Sequence, residues 1–203
     1  KVYIDATYGK ILGALSTLKQ ISQAYKGDIN VIFYYAGHGV PNEKNNEAYL
    51  LPADATPSML EACLPLSSLY SSIGSIDAKQ AIVFMDACFS GSRRENGMIV
   101  SARGVAIKPK KDIVTGNVVV FSAADGSETA YPYKEKGHGL FTYFLLKKLK
   151  ESRGNVTLGD LADYIKTNVS QKSIVVNNKS QTPTISSSAQ MQDVWRTMKL
   201  FRK

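Results

Sequence analysis

Apolar and polar positions along the chain follow two rhythms, one of helices and one of strands. Ile11, Leu15, Leu18, Ile21 and Tyr25 recur at helical spacing, with Thr7 placed to cap the run and Gly27-Asp28 to stop it. Val31 to Tyr35 follows as an unbroken apolar run of strand length and reads as a fully buried strand. After the polar stretch Pro41 to Asn46, a short strand is predicted at Tyr49 to Leu51. Pro65 opens a predicted helix with Leu66, Leu69, Tyr70 and Ile73 inward, and Gly74 closes it. Ala81 to Met85 is a second central strand and Val118 to Phe121 a third. Residues 89 to 116, between them, show no strong period, and a connection this long is more often functional than idle. Helices are predicted at Leu140 to Leu149 and Leu158 to Val169, the second with Thr157 and Asp160 spaced as a capping pair. This alternation predicts an α/β fold: a mainly parallel sheet covered by helices on both faces.

Composition bounds that picture without changing it. At 203 residues and 44% hydrophobic, the chain supports one substantial core or at most two small ones, and one domain over residues 1–203 is the simpler count. No run of 18 apolar residues occurs and the start, Lys-Val-Tyr-Ile, has no signal-peptide character, so the chain reads as soluble, with its compartment left open. The formal charge of +8 raises the possibility of a nucleic-acid partner. The basic residues, however, gather at Arg93-Arg94, Lys108 to Lys111, Lys147 to Lys150 and Lys199 to Lys203 with no nucleic-acid motif around them, and read as solvated surface.

The candidate chemistry sits where two of the apolar runs end. Tyr35-Ala36-Gly37-His38-Gly39 follows the first strand and Asp86-Ala87-Cys88-Phe89-Ser90-Gly91 the second, each placing an imidazole or a thiol in a small-residue turn, where α/β enzymes carry their catalysts. A lone cysteine is usually a small core hydrophobe, and Cys63 reads that way. Cys88 keeps different company: Asp86, Ser90, Gly91 and a histidine in a matching turn. His138, in a Gly-His-Gly turn before a helix, reads as a capping or backbone-contact residue. A thiolate at Cys88 also excludes a disulfide with Cys63, the other cysteine of the chain.

His38 stands 50 positions before Cys88, the spacing of the caspase signature, in which a histidine lies about 50 residues upstream of a cysteine in a short Ala-Cys motif. The chain resembles the caspase-like clan of cysteine peptidases, and within it the metacaspase and bacterial orthocaspase branch. The resemblance is carried by His38-Gly39, Leu51-Pro52-Ala53-Asp54, Asp86-Ala87-Cys88 with Ser90-Gly91, Phe121-Ser122-Ala123 with Asp125, and Gly137-His138-Gly139-Leu140-Phe141-Thr142. It implies a caspase-like three-layer sandwich from which the first strand and helix are missing. It also implies a cysteine endopeptidase with a Cys88–His38 dyad and an oxyanion hole from the Gly39 and Cys88 N–H groups, where a side chain at Gly39 lowers turnover more than binding.

Asp86, two residues before the nucleophile and therefore on its face if the strand continues, matches the aspartate that recognises Arg or Lys before the scissile bond in metacaspases. Ser122 and Asp125 match a segment lining the same pocket. The second pocket aspartate of that branch lies in the region absent here. Asp54 resembles one ligand of the calcium-activated members, but Leu64-Pro65-Leu66-Ser67-Ser68 stands where paired aspartates belong, so no metal, no cofactor and activity without added calcium are expected. The missing first strand implies that this is the larger product of a cleaved precursor, held to its N-terminal fragment, or simply a trimmed precursor. Arg93, Arg94, Arg103 and Lys108 to Lys111 are expected self-cleavage sites. Other classes consistent with the residues are a catalytically inactive caspase-like scaffold, a clostripain-like or gingipain-like peptidase of the same clan, and a basic nucleic-acid-binding domain.

Overall fold

A computed structural model describes residues 1–42, 44–89 and 113–201. In chain order the elements are α1 (Tyr8–Ala24), β1 (Asn30–Ala36), β2 (His38–Pro41), β3 (Ala48–Leu51), β4 (Leu64–Pro65), α2 (Leu66–Gly74), β5 (Gln80–Asp86), β6 (Val118–Ser122), β7 (Pro132–Tyr133), β8 (His138–Gly139), α3 (Leu140–Ser152), α4 (Leu158–Asn177) and β9 (Thr184–Ser187). The central sheet runs β1-β5-β6-β9; β1, β5 and β6 are parallel and β9 pairs antiparallel to β6. Two smaller sheets, β2-β3-β4 and β7-β8, lie outside it.

The strand period sorts the core into two layers. Val83, Met85, Val118 and Val120 pack with Ile11 and Leu15 of α1 and Leu66, Leu69 and Ile73 of α2. Ile82, Phe84, Val119 and Phe121 point the other way, into Leu140, Phe141, Phe144 and Leu145 of α3 and Leu161 and Ile165 of α4. The caps read from sequence form: Thr7 Oγ1 accepts from Lys10 N–H at 3.3 Å, and Thr157 Oγ1 accepts from Asp160 N–H at 3.1 Å.

Four expectations change. β1 is not fully buried: Ile32, Tyr34 and Ala36 are exposed, and among the described residues β1 is the edge strand of its sheet. On α1 only Ile11 and Leu15 are buried among the five periodic positions, while Ile21 and Tyr25 are exposed and Ser22 takes the buried place in the last turns. Pro65 belongs to β4 and precedes α2 rather than opening it. The antiparallel strand β9, whose residues Thr-Ile-Ser-Ser carry little apolar signal, was not expected. Residues 90–112, with Ser90, Gly91 and the basic groups from Arg93 to Lys111, lie outside the described residues. Among those described, no helix is long and apolar enough to cross a membrane.

Candidate active site

Parallel pairing puts the C-terminal ends of β1 and β5 side by side, with Ala36 opposite Asp86. The chain leaving β1 is then fastened to the end of β5: Gly37 N–H donates to the Asp86 carbonyl at 3.2 Å. The Tyr35 hydroxyl donates to the carbonyls of His38 and Leu51, at 2.9 and 3.1 Å, tying the turn to β3 as well. His38 is thereby held at the start of β2 with its side chain exposed. Gly39 is buried against the cysteine segment. A Cβ there would lie 2.5 Å from the Cys88 carbonyl oxygen and strike the Phe89 ring, so only glycine lets the two segments approach this closely. The fold thus brings the His38 and Cys88 segments into direct backbone contact.

Cys88 lies just past β5 and is half-buried, packed on the α3/α4 side of the sheet. Its sulfur accepts from Ala130 N–H at 2.8 Å and its thiol reaches the Ala130 carbonyl at 3.3 Å. Cys63 sits in a different environment. It is 2% exposed, its thiol points at the Met59 carbonyl, and burial together with the nearby Glu61 charge raises its pKa. Both cysteines are free.

Asp86 ends β5 and is 3% exposed. Its Oδ2 accepts from the Thr142 hydroxyl at 2.6 Å, and the Tyr34 and Thr142 hydroxyls are 2.7 Å apart. Because the single Thr142 proton goes to the carboxylate, the Tyr34 phenol is the donor in that second bond. The carboxylate also rests against Gly139, where a Cβ would press into it, at the N-terminus of the 13-residue α3. A negative charge is stabilised there by the unpaired N–H groups of the first turn.

Of the remaining sequence candidates, Ser122 ends β6 opposite Met85 and Thr184, half-buried. Asp125 closes a turn, its Oδ1 accepting from Ser127 N–H at 3.1 Å and Ser127 Oγ at 2.8 Å. Asp54 accepts from Tyr8 N–H at 2.8 Å at the start of α1. No group of three or more metal-ligating side chains occurs among the described residues. His138 is exposed in β8, opposite Tyr133. Sequence reasoning missed Ala130, Tyr34 and Gln181. Ala130 acts through its backbone, which no side-chain pattern announces. Tyr34 was counted among the apolar positions of its strand. Gln181 sits in a polar run with no period.

Similarity to known proteins follows the same architecture. A paracaspase from Dictyostelium discoideum is 29% identical over 139 residues, which are 68% of this chain and 31% of that protein. A probable protease from a Desulfuromonadales bacterium is 26% identical over 159 residues, 76% of this chain and 19% of that protein. The chain therefore spans less than a third of the length of either relative. Among solved structures, caspase-1 from Spodoptera frugiperda superposes with a TM-score of 0.61 at 14% identity, covering 92% of this chain and 70% of that one. A protein from Geobacter sulfurreducens gives 0.62 at 18% identity, covering 96% and 78%. Both neighbours share the fold, a mainly parallel sheet between helices. The caspase domain profile, peptidase family C14, matches residues 1–194, and the chain belongs to that family.

Proposed function

We propose that the chain is a cysteine endopeptidase in which Cys88 is the nucleophile and His38 the general acid and base. The observation that carries this reading is the contact of the two strand ends, with Gly39 packed on the Cys88 carbonyl and Gly37 bonded to Asp86. The Cys88 thiolate attacks the scissile carbonyl, and the oxyanion is received by the N–H groups of Gly39 and Cys88. His38 protonates the departing amine. It then takes a proton from water as the water opens the acyl-enzyme. A thiol is mostly protonated at neutral pH, so the imidazolium and the donors around the sulfur have to favour the thiolate.

Cleavage after Arg or Lys is the proposed specificity, supported by a buried carboxylate two residues before the nucleophile and on the same side of the sheet. Ser122 and Asp125 are assigned to the wall of that pocket. Asp86 also anchors the first turn of α3, so its removal costs stability as well as selectivity, and the ratio between substrates is the informative quantity. No added calcium is needed. The outer edge of β1 has no strand partner among the described residues, and Ile32 and Tyr34 are exposed beside it. Both features suit a further strand and helix, supplied by an N-terminal fragment of the same precursor; a native mass spectrum showing one polypeptide only would remove that partner.

Matched fluorogenic peptides ending in Arg, Lys or Asp, offered to the wild type and to Cys88→Ala with and without chelator, test the reading. The expected result is cleavage after Arg or Lys, lost in the variant and indifferent to chelator. Activity after Asp would discard the pocket assignment. Full loss in chelator restored by calcium would overturn the calcium-free expectation. Silence on every peptide, with the fragment added back, would leave the inactive scaffold.

A further inference from the structure

One backbone position meets the Cys88 sulfur with both of its polar groups. Ala130 N–H donates to Sγ at 2.8 Å, and the Ala130 carbonyl accepts from the thiol at 3.3 Å. These two bonds act on ionisation in opposite directions. The carbonyl favours the protonated thiol, whereas the N–H bond survives ionisation and strengthens when the sulfur becomes an anion. Placement of Ala130 therefore bears on how readily the Cys88 thiol ionises.

Ala130 lies in no helix or strand, and its position is inherited from the segment Ala123 to Tyr131. That segment is pinned from across the sheet edge by a short stretch between α4 and β9. Gln181, 0% exposed, accepts from Tyr131 N–H through Oε1 at 2.8 Å and donates through Nε2 to the Ala123 carbonyl at 2.9 Å. Ser170 of α4 donates to the Gln181 carbonyl at 3.2 Å, and Glu128 accepts from both the N–H and the hydroxyl of Thr182. Ala123 N–H in turn bonds the Met85 carbonyl at 2.8 Å, on the strand that leads to Cys88. A primary amide supplies a donor and an acceptor in one neutral group, so no apolar side chain can hold both ends of the segment.

We infer that Gln181 is a positioning residue for the nucleophile: it clamps Ala123 and Tyr131 so that Ala130 N–H stays on the Cys88 sulfur and favours the thiolate. This rests on the reading of Cys88 as the nucleophile. The test is chosen to stand apart from peptide hydrolysis.

The measurement is the pH dependence of iodoacetamide labelling of Cys88, read by peptide mass spectrometry so that Cys63 is scored separately. In a folded Gln181→Met variant, whose fold is checked by its melting curve, the Cys88 midpoint is expected to rise by about one pH unit. Labelling well below the midpoint then slows about tenfold, equivalent to ~1.4 kcal/mol. Gln181→Asn, whose neutral amide is one methylene too short to hold both Tyr131 and Ala123, is expected to shift less and carries the same test should the methionine variant fail to fold. In the wild type, the Ala130 amide proton is expected to titrate with the Cys88 midpoint. An unchanged labelling profile in a folded variant, or an Ala130 amide indifferent to the Cys88 titration, overturns the proposal. A shifted profile in a chain that cleaves no peptide would instead reject the peptidase reading and leave the clamp standing.

Discussion

Strands β1 and β5 have equal length, run parallel and pair over all seven residues, and both are apolar almost throughout. Every residue of β5 is buried, none above 3% exposure, while on β1 Ile32 is 42% and Tyr34 46% exposed. An apolar run specifies a strand, but burial on both faces is a property of what covers it. β5 has α1 and α2 below, α3 and α4 above, and a strand on each side. The β1 strand shares the lower layer through Val31, Phe33 and Tyr35; among the described residues it has no strand neighbour on its outer edge, and Ile32 and Tyr34 stand exposed above. The same contrast extends to the chemistry at the strand ends: an exposed imidazole follows β1, whereas a buried carboxylate ends β5 and a half-buried thiol follows it.

The largest expected effect removes those groups in turn. Cys88→Ala should abolish peptide hydrolysis, a loss of at least about 10⁴-fold in kcat. His38→Ala should cost about 10²–10⁴-fold, the usual contribution of a general acid and base. Full activity in His38→Ala with loss in His138→Ala would move the base from the end of β1 to β8. Next in size is the join between the two strand ends. Gly39→Ala forces a Cβ onto the Cys88 carbonyl and the Phe89 ring, displacing Cys88, and should lower kcat about 10²-fold with KM changed little. An unaltered kcat would show that the contact is not what places Cys88.

Burial itself can be compared by paired truncation. Ile82→Ala in β5 should destabilise by about 2–5 kcal/mol, and its register partner Ile32→Ala in β1 by under ~1 kcal/mol, as read by denaturant unfolding. Equal losses would mean that the upper face of β1 is covered in solution, as the proposed N-terminal fragment would do. Adding such a fragment should raise the cost of Ile32→Ala and leave that of Ile82→Ala unchanged.

Where the candidate residues lie was more legible than their surroundings. His38 and Cys88 each follow an apolar run in a glycine-containing or small-residue turn, and the pairing of β1 with β5 brings those two ends together. Buried positions on α2 were readable because Leu66, Leu69, Tyr70 and Ile73 form one stripe. Where cover depends on chain order, the local pattern was silent: Val31 to Tyr35 reads like an interior strand although it lies at the edge. It was equally silent where the work is done by backbone or by one polar side chain, as at Ala130 and Gln181. Strand β9 escaped for a third reason, since an edge strand with two serines and a threonine needs no apolar period.

Tyr34 links the two strands through its side chain and supports the smallest of the expected effects. Its ring lies on the exposed face of β1, yet its hydroxyl donates to Thr142, whose own proton is committed to Asp86 at the end of β5. Tyr34→Phe removes the outermost bond of this chain and leaves Thr142 able to serve the carboxylate, so a loss of about 0.5–1.5 kcal/mol is expected. Thr142→Val cuts the bond to the carboxylate and leaves a buried charge short of a donor, which should cost about 1–3 kcal/mol and lower the selectivity for Arg and Lys peptides. If Tyr34→Phe proved as damaging as Thr142→Val, the phenol would be holding Thr142 in the rotamer that reaches Asp86. The exposed strand would then govern the buried carboxylate, and β1 could not be treated as the lesser partner of β5.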